Sequence, residues 1–247
     1  MARTSGIPPR RAAEEMIATM RRRADPGRAA SDQRYFKEPV ELYGLSTPVA
    51  RKMLKDLLGQ VKGSWTLRDA VTFCNAMVRD PHLEPRGMGF QAVAAFVGEA
   101  GPELVKDVRR WLERSCGNWA LVDNLAPSVL APLVEEHPDV IPEIVAWTRS
   151  PSLWLRRGAV VTFVPLARHG QCLDTAYDVA SRLFEDREDL MRKAVGWLLR
   201  EAGKSDMPRL ERFLRAEGPK IPRTTVRYAI ERFPRDERKR LLEATRS

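Results

Sequence analysis

The chain has 247 residues, 43% of them apolar, which suffices for one large domain or two small ones, and its longest apolar stretches fall far short of the 18 residues that begin to suggest a membrane span. The basic N-terminus MARTSGIPPRRAAEEM is not followed by the apolar run of a secretory leader, so a location in the cytoplasm or nucleoid is expected. Lys and Arg number 42 against 33 Asp and Glu, a net charge of +9, while three scattered cysteines and the absence of HExxH, GxSxG, GxGxxG and P-loop patterns exclude a disulfide framework and the common metal, serine-hydrolase and nucleotide templates.

Helical periodicity dominates from the start. A first amphipathic stretch covers 10–24 and stops at the breaker Asp25-Pro26-Gly27. Thr47 reads as an N-cap with Pro48 at the first helical position, opening PVARKMLKDLLGQV with apolar residues at 49, 53, 54, 57, 58 and 61. Ser64 reads as the cap of WTLRDAVTFCNAMV. Further stretches follow over 88–99, 102–115, 139–149, 153–168, 173–185, 188–202, 206–216, 222–232 and 235–245, parted by breakers such as His137-Pro138, Ser150-Pro151, His169-Gly170 and Pro234. Strand alternation is almost absent. Helices of this length with short loops, recurring every 35–45 residues, predict an all-α protein: an α-solenoid of about six HEAT-like helix pairs forming a C-shaped concave clamp, as a single domain over 1–247. An irregular all-α bundle is the alternative.

Charge is concentrated at the ends. Residues 1–60 carry 12 basic and 7 acidic side chains, residues 182–247 carry 18 and 12, and the middle holds 12 and 14. Such a distribution suits a polyanion gripped by both ends of the molecule. His82, His137 and His169 each adjoin Pro or Gly and read as loop residues.

Tryptophans stand a helical turn from a charge at Trp119/Asp123, Trp154/Arg157 and Trp197/Arg200, a spacing that shares a helix face but arises often by chance in so charged a chain. Context separates them. Asp123 is the only charge in NWALVDNLAPSVLAPLV, and an isolated carboxylate among apolar residues is costly unless paired or used; a helix cap or an internal salt bridge is the structural alternative. Arg157 opens the nearly uncharged run RGAVVTFVPLA, and Gly196 beside Trp197 permits close approach of another backbone or a ligand.

Four blocks in register, YFK at 35–37 with YGLSTPVARKMLKDL, NWALVDNLAP, SLWLRRGAVV and RKAVGWLLREAGK, resemble the AlkD-type DNA alkylation repair glycosylases, a HEAT-like family, over about 35–204, with weaker similarity through IPRTTVRYAIERF. The resemblance implies catalytic-cleft roles for Trp119, Asp123, Arg157 and Trp197. It implies DNA-backbone contacts for Thr47, Arg51 and Arg200, with Tyr35 of the YFK block beside them. Two departures stand out: Asn118 precedes Trp119 where the family often has an aromatic pair, and VVTFVPLA follows Arg157 where relatives tend to carry a basic residue. The implied activity is a monofunctional glycosylase that releases positively charged alkylated purines (N3-alkyladenine, N7-alkylguanine) from duplex DNA without enclosing the base; no metal or cofactor is expected, self-contained end helices point to a monomer, and the short apolar stretches to no membrane partner. A non-enzymatic HEAT-like module that binds DNA structure or a protein partner is the competing class.

Overall fold

The computed structural model describes residues 6–246, and among them it is helical throughout, with no strand. The chain divides into two compact units, Met1–His137 and Pro138–Ser247, and the division falls at the breaker His137-Pro138. No helix among the described residues is long and apolar enough to cross a membrane.

The first unit contains α1 (Pro9–Arg22), α2 (Pro26–Gln33), α3 (Thr47–Val61), α4 (Leu67–Met77), α5 (Leu83–Ala94), α6 (Leu104–Arg114), α7 (Trp119–Leu125) and α8 (Ala131–Glu136). Here α4 packs on α1 and α5, and α5 in turn packs on α3 and α7. Ala13, Met20, Val61, Phe73 and Met77 are fully buried in this core, and the indole of Trp65 joins it while donating its N–H to the Ile7 carbonyl at 2.9 Å.

The second unit contains α9 (Ile141–Ala146), α10 (Leu153–Arg168), α11 (Leu173–Arg182), α12 (Asp189–Ser205), α13 (Met207–Glu217), α14 (Arg223–Ala229) and α15 (Arg235–Ala244). Helices α10, α12 and α14 pack one on the next, with α11 against α10 and α12, and α13 against α12. Gly196 shows how close that row is. A Cβ there would collide with the Tyr228 side chain and the Thr225 carbonyl, so the glycine serves helix packing within the unit.

Three helix starts differ from the sequence expectation. The segment Asp25-Pro26-Gly27 opens α2 instead of only breaking α1: the Asp25 carboxylate accepts the Arg28 N–H at 2.9 Å, and Pro26 occupies the first helical position. The cap of α3 is Ser46, with Thr47 already helical. Helix α4 starts at Leu67, where the Asp69 carboxylate accepts both the Thr66 N–H and its hydroxyl at 2.9 Å; Ser64 instead donates its hydroxyl to the Val61 carbonyl and closes α3.

Between α2 and α3 the backbone is held by a carboxylate. Glu84 accepts the N–H groups of Tyr43, Gly44 and Leu45 at 3.0, 2.7 and 3.1 Å. Gly44 has φ +79°, and a Cβ on it would overlap the Asp25 carbonyl.

Candidate functional site

Helix α7 is short for a physical reason. Asn118, buried, caps it by accepting the Leu121 N–H at 3.0 Å, so Trp119 is its first residue and Asp123 stands one turn later on the same face. Pro127 lacks the N–H that an α-helix would donate to the Asp123 carbonyl, and a five-residue π-turn, Ala126–Leu130, follows. Asp123 thus sits where the helix changes pitch. The helix cap is Asn118, which removes the cap reading of Asp123; Trp119 and Asp123 are both half-buried.

Polar side chains pin this turn to α5. The Gln91 carboxamide donates to Asn124 Oδ1 at 2.8 Å and to Ser128 Oγ at 3.3 Å, and Ser128 Oγ donates to the Asn124 carbonyl. The face of α7 that carries Trp119 opens on a partly open cleft of about 560 Å³. Tyr35, Phe36 and Trp119 give it aromatic walls, Leu45, Leu54 and Met88 an apolar floor, and Thr47, Arg51 and Gln91 polar edges. The first unit therefore brings together Tyr35, Thr47, Arg51 and Trp119 around one cleft, with Asp123 on the same short helix. Tyr35 is 61% exposed, and Thr47 and Arg51 are exposed as well.

The Phe36 ring stacks on the Trp119 indole with centroids 5.5 Å apart and an interplanar angle of 27°. Phe36, Gln91 and Asn124 escaped the sequence reading. Phe36 lay inside the quoted YFK block beside Tyr35, and Asn124 lay beside Asp123, but no spacing rule links them to Trp119 or to α5.

Next to the cleft lies a second polar group, built around His82, for which the sequence predicts no more than a loop position. His82 stacks on Tyr43 with ring centroids 3.7 Å apart, and its Nδ1 lies 2.8 Å from Asp80 Oδ1, while the Tyr43 hydroxyl donates to Asp80 Oδ2 at 3.0 Å. Burial pushes the Asp80 carboxyl up, but hydrogen bonds from the His82 backbone and ring and from Tyr43 outweigh it, leaving Asp80 below its ordinary value. Burial chiefly raises Tyr43.

The second unit holds the remaining expected residues, on two helices that pack together. Arg157 on α10 is only 5% exposed and donates through Nη1 to the Leu190 carbonyl of α12 at 2.7 Å. Its neighbour Arg156 is bound to Asp186 at 2.8 Å and to the Ser150 and Pro151 carbonyls. The run after Arg157 is core: Val160, Val161, Phe163 and Val164 are buried, which accounts for the absence of a basic residue there. Trp197 on α12 is half-buried. Arg200 is held by Glu231 and by Glu201 Oε1, and the Glu231 carboxyl lies below its ordinary range because Arg200 hydrogen-bonds to it. Among the described residues no three His, Cys, Asp or Glu side chains come together as a metal-holding group.

Comparison with known proteins gives the geometry a context. A family model described as DNA alkylation repair enzyme matches residues 16–233. A solved structure described as a predicted DNA alkylation repair enzyme from Enterococcus faecalis is similar in fold, with a TM-score of 0.77 at 18% identity, covering 86% of this chain and 97% of that one. Comparison with curated proteins returns no match.

Proposed function

This chain belongs to the DNA alkylation repair enzyme family, and from that premise we propose that it is a monofunctional DNA glycosylase hydrolysing the N-glycosidic bond of positively charged alkylated purines in duplex DNA. A single observation carries this reading: Trp119 lines a cleft edged by Arg51 and Tyr35, and Asp123, which is not among the residues lining that cleft, stands one turn further along the same helix.

The chemistry asks little of the protein. When the C1′–N bond of an N3-alkyladenine or N7-alkylguanine breaks, the bonding pair goes to the purine and neutralises it, so no general acid is needed. The deoxyribose left behind has oxocarbenium character. The Asp123 carboxylate stabilises that charge electrostatically and orients the water that adds to C1′, which then loses its proton to give the abasic site and free base. Trp119 offers its negative π-face to the developing cation, worth about 0.5–2 kcal/mol, and Trp197 keeps the cleft role that the resemblance implies. Arg157 is assigned the neighbouring phosphate, and Tyr35, Thr47, Arg51 and Arg200 the DNA backbone. An open cleft with an apolar floor supports engagement of the lesion without a closed, hydrogen-bonding base pocket.

We further propose that residues 1–247 act as one module, because the family match runs through both units, and that α10, α12 and α14 stack as HEAT-like repeats do. In this reading the protein works as a monomer without a cofactor, in the cytoplasm at the nucleoid.

The test is release of N7-methylguanine from methylated duplex DNA. Wild type releases the base, and Asp123→Asn lowers the single-turnover rate by on the order of 10²-fold or more while still binding DNA. Equal release by the variant rejects the role of Asp123. Retention on DNA with no release by wild type supports the binding module instead.

A further inference from the structure

The segment after α2 carries two aromatic residues in succession, and the fold uses them in opposite ways. Tyr35 is largely exposed, with the Arg34 guanidinium 5.3 Å from its ring centroid. Phe36 is half-buried and turns its ring onto Trp119. The loop that presents them is closed on itself by one side chain. Gln33 donates its carboxamide N–H to the Glu38 carbonyl at 2.9 Å, reaches the Phe36 carbonyl at 3.5 Å, and accepts the Val40 N–H through Oε1 at 2.9 Å. Phe36 is therefore anchored at its own backbone before it touches the indole.

Trp119 needs such a partner. The Asn118 cap fixes the backbone at the start of α7, but a side chain on the first helical turn keeps several staggered rotamers unless something packs against it. Position 118 brings no ring to do so, and the offset stacking of Phe36 does. We propose that Phe36 is a positioning residue: its ring holds the Trp119 indole in the orientation in which the indole face meets the substrate sugar, so that the loop reaching for DNA through Tyr35 also prepares the reacting centre. The inference rests on the role given to Trp119 above, and its test separates the two.

Three variants suffice, each with a melting curve: Tyr35→Ala, Phe36→Leu, which keeps apolar volume but removes the ring, and Phe36→Tyr, which keeps the ring. Single-turnover release of N7-methylguanine at saturating enzyme and DNA affinity are measured for each. Phe36→Leu lowers the rate by about tenfold with DNA affinity retained, Phe36→Tyr restores the rate, and Tyr35→Ala weakens DNA binding. A second readout needs no activity. With fluorotryptophan incorporated at all six tryptophans and the Trp119 resonance assigned through Trp119→Phe, Phe36→Leu shifts or broadens that resonance and Phe36→Tyr returns it. An unchanged Trp119 resonance, a wild-type rate in Phe36→Leu, or a loss that follows thermal stability and is not restored by Tyr overturns the proposal. Should wild type release no base, the glycosylase reading falls, and the fluorine spectrum still decides whether Phe36 sets the indole.

Discussion

The two units handle their polar residues in contrasting ways. In the first, the helix with the candidate carboxylate is seven residues long, ends in a π-turn, and carries Trp119 onto a cleft edged by the exposed Thr47 and Arg51. In the second, Arg157 lies inside a 16-residue helix that is buried over most of its length, and Arg200 is drawn into contacts with Glu231 and Glu201. Irregular backbone accompanies the open face, and regular, close-packed helices accompany the enclosed charges. The lesson is that similar residue types carry different penalties when changed: Arg51, exposed at the cleft, can be removed at little cost to folding, whereas Arg157 is also part of the packing, so its loss costs stability besides any contact with DNA.

Substitutions can break or sharpen that contrast. Arg157→Ala removes a buried donor from the Leu190 carbonyl and strips the packing of its aliphatic stem, and it is expected to lower unfolding stability by about 3 kcal/mol in urea titration. A melting curve like wild type would erase the distinction between the units. Glycines give a paired test of smaller size. Gly196→Ala forces a methyl into α14 and costs about 2 kcal/mol, whereas Gly59→Ala, on α3 with nothing within reach of the new methyl, stabilises by up to about 1 kcal/mol.

Arg51→Ala is expected to leave stability within about 0.5 kcal/mol while lowering the salt dependence of DNA binding by about one counterion. Arg200→Ala changes that slope less, because Glu231 already competes for the guanidinium. Equal slopes for the two variants would show that the internal ion pair opens freely for DNA.

The smallest expected effect is a pH dependence in the first unit. Asp80 has a carboxyl held below its ordinary value of 3.8. Its contribution to stability is therefore present in full above the unfolded value and is lost as pH falls through the lower, folded one. The difference in melting temperature between wild type and Asp80→Asn is expected to be steady at neutral pH and to shrink below pH 3.8. A difference that grows on acidification would contradict the hydrogen bonds assigned to that carboxylate.

The helical class was legible because apolar periodicity survives wherever one face of a helix is buried. The stretch predicted over 153–168 coincides with α10, since the breakers Ser150-Pro151 and His169-Gly170 bound it, and Ser152 caps it. Helix α2 was missed because Asp-Pro-Gly signals both a turn and a helix start, and only the bond from Arg28 N–H to Asp25 decides between them. Helix α5 begins at Leu83, ahead of the expected 88, because Pro85, Gly87 and Gly89 hide its periodicity while close packing against α4 and α7 sustains it. At the candidate site, Trp119 and Asp123 were visible as a spacing within one helix. Phe36 was not. Its meeting with Trp119 joins residues far apart in the chain, and no local pattern records that.

Gly44 carries a practical warning for anyone mapping this protein by random mutagenesis. It stands three residues before Thr47 and next to the cleft, yet its left-handed backbone and its crowding against Asp25 exclude every side chain. Colonies scored only for survival under alkylating agents would report position 44 as indispensable, and proximity would tempt the experimenter to draw it into the reaction scheme. Soluble yield, measured alongside survival, would reveal an architectural veto instead.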